Sequence, residues 1–219
     1  MLRNIQLRRM VLGLAMAVTG LSASIASAQT ITVQDPSFET LGDWGPSGTW
    51  ASFNSVWQAN FYPYNRTFDS SFFTSAADGT WFANLTDPGD TITQDLQTSV
   101  TAGNTLSVTF SAGRELSNAG GTFLATFLVG STPYSQTIDT TGLTLGQWQS
   151  YTLTQTVGNS GTLSLQFSQV TGRPWLDNIS NVTDTQAIPE PSSLVLVALG
   201  GLVMCRYVVR RKRAAVPQS

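Results

Sequence analysis

The chain has 219 residues, of which 41% are hydrophobic and only 11% charged, against a usual charged share of about 25%. It contains no histidine, one lysine (Lys212) and one cysteine (Cys205). A Ser-His-Asp triad, a Cys-His pair, a His-ligated metal, an intrachain disulfide and a Schiff-base lysine outside the tail are all excluded. The net charge of −2 conceals a segregation: twelve acids and three arginines lie between Asp35 and Asp184, and the other basic residues sit at the two ends. A middle so acidic repels phosphate backbones, which argues against a nucleic-acid partner.

In chain order, Arg3, Arg8 and Arg9 precede an apolar run from Met10 to about Leu21, and small residues follow, ending in Ala26-Ser27-Ala28. This is the order of a secretory signal peptide over 1–28, with Gln29 as the mature N-terminus and the Sec translocon and signal peptidase as partners. The bland alternative is a retained anchor helix, which the shortness of the run disfavours.

From 29 to 187 the sequence is punctuated at short intervals by Gly, Pro, Asn, Asp and Ser, with apolar and β-branched residues alternating between. Period-two patterning predicts strands at Thr91–Leu96, Leu106–Phe110, Trp148–Thr156 and Thr162–Phe167. The nearly all-apolar Phe123–Val129 reads as a central strand, and Trp175–Ile179 closes the set. Turns fall at Ala102-Gly103-Asn104, Ala119-Gly120-Gly121, Gly142–Gly146 and Gly158–Gly161. No segment here carries a capped 3.6-residue period, so the expected fold is an all-β sandwich with Greek-key or jelly-roll connections.

Twelve of the 22 aromatic residues fall between Trp44 and Phe82. Phe53, Phe68, Phe72 and Trp81 are expected in the core. Trp57, Tyr62 and Tyr64 have polar neighbours (Gln58, Asn60, Asn65) and are expected to show a face on which a sugar ring can stack. The competing reading is that these too are core, because a domain without disulfides needs them there. Arg114 beside Glu115 is read as a structural ion pair.

After Pro189-Glu190-Pro191, an apolar stretch runs from Leu194 to Cys205, is interrupted by Arg206, and ends in Arg210-Arg211-Lys212-Arg213. As a helix, 192–209 spans about 27 Å, close to a hydrocarbon core of about 30 Å, with Arg206 snorkelling and the basic cluster left on the cytoplasmic side. A plain tail anchor accounts for this equally well on physical grounds.

The order Pro-Glu-Pro, short transmembrane segment, arginine-rich end resembles the PEP-CTERM sorting signal of Gram-negative bacteria, here over 188–219. The resemblance implies recognition by an exosortase, a membrane protease-transpeptidase. It further implies transient residence in the inner membrane, then transfer to the cell surface and its extracellular polysaccharide matrix. A second resemblance runs through the domain. Asp35-Pro36-Ser37-Phe38-Glu39 with Gly42-Asp43-Trp44, the Asp90–Leu96 and Leu106–Phe110 pair, Trp148–Thr152 and Trp175–Ile179 are similar to segments of galactose-binding-like and carbohydrate-binding jelly rolls. In those domains the first and last strands are neighbours and hold a structural calcium. The resemblance therefore implies a calcium site at Glu39 and Asp177, with the remaining ligands unassigned. The function expected is that of a non-catalytic exported surface protein, binding exopolysaccharide or serving only as structure. A carboxylate glycosidase is the alternative, and no acidic pair is marked for it.

Overall fold

The computed structural model describes residues 27–44, 51–53, 56–60, 64–67, 72–117 and 119–186. Tyr62, the predicted signal peptide through Ala26 and the sorting tail with Pro189–Pro191 and Arg210–Arg213 lie outside them. Among the described residues every regular element is a strand, and none is a helix long and apolar enough to cross a membrane. The strands are β1 (Ala28–Ile31), β2 (Leu41–Trp44), β3 (Ala51–Phe53), β4 (Gln58–Ala59), β5 (Tyr64–Thr67), β6 (Trp81–Asn84) and β7 (Thr91–Val100). They continue as β8 (Thr105–Arg114), β9 (Gly121–Val129), β10 (Thr132–Asp139), β11 (Gln147–Thr156), β12 (Gly161–Gly172), β13 (Trp175–Asp177) and β14 (Val182–Thr185).

One sheet has the order β1-β14-β8-β13-β6-β5-β3-β2, with β11 also paired to β8, and the other has the order β10-β9-β12-β7-β4. All pairs are antiparallel. Four of them are nested about the β9–β10 turn: β9 with β10, β8 with β11, β7 with β12 and β6 with β13. A long hairpin rolled up so that successive pairs alternate between two sheets is the jelly-roll arrangement. Residues Ser27–Ala187 form this one compact unit.

The pleat explains the core. Leu106, Val108, Phe110 and Ala112 of β8 alternate inward and meet Phe123, Ala125 and Phe127 of β9 and Leu163, Leu165 and Phe167 of β12. Phe110 packs edge-on against Phe167 at 5.1 Å and lies 6.0 Å from Phe123, joining the two sheets. The predicted strands are present, and β9 is central, flanked by β10 and β12. The last predicted strand is shorter than expected. Asn178 takes a positive φ of 51°, and Ile179 donates its N–H to Pro36, so β13 stops at Asp177 and β14 resumes the line at Val182.

Candidate functional site

Glu39 and Asp177 are brought to the same short segment, 77–81, and each grips its backbone. Glu39 Oε1 accepts the N–H groups of Thr80 (2.8 Å) and Trp81 (2.7 Å), and Oε2 accepts the Thr80 hydroxyl at 3.0 Å. Asp177 Oδ2 accepts Ala77 N (3.0 Å) and Asp78 N (2.9 Å), while Oδ1 accepts Asn178 N (2.7 Å). Asp177 is fully buried. Burial outweighs the three N–H donors, with the charge of Asp78 adding to it, and pushes the carboxyl up to about 7.

This arrangement does not fit the expected calcium. A calcium ion takes six to eight oxygens. Here each carboxylate already accepts three N–H or O–H donors, which leaves about one lone-pair site apiece for a cation. Among the described residues no three His, Cys, Asp or Glu side chains are placed together to hold a metal. Glu39 and Asp177 instead strap the 72–81 segment across the outer face of the sheet.

Beneath that strap lies a second, smaller core of Phe73, Phe82 and Trp175, with Trp148 against it. Phe73 stacks on Trp148 at 4.3 Å and meets Phe82 and Trp175 edge-on at 5.4 and 5.7 Å. Gly113 of β8 makes room for it, since a Cβ there would stand 2.7 Å from both Phe73 and Trp148. Trp148 donates its indole N–H to Ser75, and Trp175 donates its own to the buried Glu115 at 3.1 Å. Arg114 points elsewhere, to the carbonyls of Thr141 and Leu143 at 2.6 and 3.0 Å. Glu115 thus serves an indole of β13 and Arg114 the turn at 141–143.

The aromatic platform expected at Trp57 is corrected. Trp57 is only 2% exposed, tilted against Phe38 at 5.4 Å and Phe167 at 6.4 Å, with its indole N–H on the Asp35 carbonyl. Short β4 pairs Gln58 with Thr93 and Ala59 with Ile92, which turns the neighbouring ring under the sheet while Gln58 and Asn60 stay in solvent. Trp81 is buried as expected, and Tyr64 sits in β5 opposite Asn84.

A concave site that the sequence did not mark opens between the edge strand β1 and β7. It is a polar cleft of about 280 Å³, with Gln29–Thr32 and Gln34 on one wall and Gln94–Thr98 on the other. Gln94 is buried and fixes the spacing of the walls. Its amide oxygen accepts Gln34 N and its amide nitrogen donates to the Gln34 carbonyl, both at 2.8 Å. The register to β12 jumps here, with Ser164 opposite Asp95 but Leu163 opposite Thr98, so Leu96 and Gln97 form a bulge.

Residues 187–213 match the PEP-CTERM protein-sorting motif, an interval that contains Pro189, Glu190, Pro191 and the basic cluster. No curated protein matches the chain. Among solved structures the chain is similar to the CBM22-1 xylan-binding domain of Paenibacillus barcinonensis Xyn10C. The identity is 11% and the TM-score 0.48, covering 75% of this chain and 99% of that one. It is also similar to TmCBM61 in complex with β-1,4-galactotriose (15%, TM-score 0.43, 70% and 97%). A third similar structure is the C-terminal CBM6 of LamC from Zobellia galactanivorans (10%, TM-score 0.43, 73% and 100%). The nested strand pairing, rather than these likenesses, defines the fold.

Proposed function

We propose that this chain is an exported surface protein whose β-sandwich contacts the surrounding neutral exopolysaccharide without performing chemistry on it. The signal peptide is removed between Ala28 and Gln29. The C-terminal segment then holds the chain in the inner membrane until an exosortase-type enzyme acts near Pro189-Glu190-Pro191, and the domain passes to the cell surface and its matrix. The observation that carries this reading is the PEP-CTERM motif at 187–213, which begins two residues after Thr185, where the last strand, β14, ends. A glycosidase role finds little support. Among the described residues the one carboxyl raised to about 7, Asp177, is buried with both oxygens engaged by backbone N–H groups.

The test replaces Pro189, Glu190 and Pro191 together with alanine in the full chain, expressed in a host that carries an exosortase. The unmodified chain is expected to lose its tail and appear in the surface or medium fraction, and the triple variant to stay membrane-bound at full length. Equal processing and release of both would overturn the sorting reading.

A further inference from the structure

We propose that the cleft between β1 and β7 is the binding site for a neutral, hydroxyl-rich ligand, a short stretch of saccharide chain. The inference rests on the saccharide part of the function proposed above and names the surface responsible. Gln29, Gln34 and Gln97 are exposed, and their side-chain amides take part in no hydrogen bond among the described residues, whereas Gln94 behind them is bonded at both its amide oxygen and its amide nitrogen. An amide carries a donor and an acceptor side by side, which matches adjacent sugar hydroxyls, each both donor and acceptor.

Charge narrows the ligand class. Among the described residues no cationic side chain lines the cleft, and its one charged side chain is Asp95. Cleavage ahead of Gln29 adds one α-ammonium group at the rim, which offsets Asp95 and leaves no surplus of positive charge to select a phosphate, sulfate or uronate. Asp95 Oδ1 accepts the Gln97 N–H at 2.9 Å, so this carboxylate also shapes the bulge.

The backbone supplies an independent argument. Gln97 adopts φ 51°, a left-handed conformation that a side chain with a Cβ enters at a cost of about 1–2 kcal/mol per residue. A glycine would remove that cost, and the sequence has nineteen glycines elsewhere. What the glutamine adds at this position is an amide carried by the two-residue bulge at the cleft wall, the re-aiming for which bulges are used. The volume, about 280 Å³, lies just below the roughly 300–1,000 Å³ usual for ligand pockets. It suits a small ligand or a short stretch of a longer chain.

The test uses the full chain purified from membranes in detergent, titrated with neutral trisaccharides of glucose, galactose, xylose and N-acetylglucosamine. Polygalacturonate serves as a charged arm, and isolated matrix polysaccharide is run in parallel. Gln97→Gly keeps the backbone conformation available and is expected to weaken binding about three- to tenfold without lowering Tm, and Gln34→Ala to do the same, as loss of one or two hydrogen bonds predicts. Thr154→Ala, on the outer face of β11, is expected to bind as the parent does. Unchanged binding in the Gln97→Gly/Gln34→Ala double variant would overturn the cleft assignment and leave the saccharide reading standing. Preference for polygalacturonate would overturn the neutral ligand class. No binding to any neutral sugar or to the matrix polymer would overturn both.

Discussion

Asp177 is the residue whose surroundings depart furthest from its ordinary chemistry. Its carboxyl titrates near 7 in the fold against 3.8 in the unfolded chain. The folded state therefore keeps a proton that the unfolded state releases above about pH 4, and stability from this residue is full below that pH. It declines as pH rises to about 7, by up to roughly 4 kcal/mol at 1.36 kcal/mol per unit, and is flat beyond. Chemical denaturation at a series of pH values measures the slope, and Asp177→Asn, which cannot titrate, is expected to flatten it. A stability that rises between pH 4 and 7 would show that the three N–H donors outweigh burial.

At the scale of elements, the 72–81 strap is held at one end by Glu39 and along its middle by Asp177. Glu39→Ala leaves Thr80 N and Trp81 N without their acceptor and is expected to cost about 1–3 kcal/mol. Hydrogen exchange is expected to rise first at 77–81. The same element shows what could and could not be read from sequence. Glu39 and Asp177 stood out as acids that the resemblance placed on neighbouring strands. In the structure Glu39 precedes β2, which pairs with β3 rather than β13, and the two acids share only the 77–81 segment they grip. Their partners are backbone N–H groups of a loop a long way off in the chain, which no residue pattern announces. Strands covered on one face, such as β8 over 105–110, alternate and were legible. Strand β6 (Trp-Phe-Ala-Asn) is buried at every position, because the core lies on one side and the Phe73 cluster on the other, so its period vanishes. Strand β10 is a largely exposed edge with Pro133 at its second position, which left it no hydrophobic alternation to detect. Trp57 was misplaced because its polar neighbours project to the opposite side of a two-residue strand. The cleft was invisible for a further reason: its walls come from two sheets, and a bulge leaves no mark in composition.

For the whole molecule, cohesion comes from one apolar core between the sheets and a second beneath the strap, with the carboxylates spent on backbone N–H groups. Calorimetry with and without chelator is accordingly expected to give the same Tm. A substantial fall on chelation would mean that a cation replaces some of the N–H contacts to Glu39 and Asp177 in solution. The fold class was open to sequence reasoning because alternation and turn chemistry repeat through the chain. The nesting of its strand pairs depends on which edges meet, information that exists only in three dimensions.

That nesting orders the pairs from near to far in the chain: β9 and β10 meet through a short turn, while Gln29 in β1 finds its partner in Asp184. A chain threaded outward from its N-terminus presents β1 first and completes it last. Until 182–185 have emerged, β1 has no neighbour in the ladder, and Ile31, buried opposite Val182 in the finished domain, stays uncovered. Closure of the first strand therefore waits for the last one to be made, and a chain cut short before β14 leaves Ile31 without the strand that covers it.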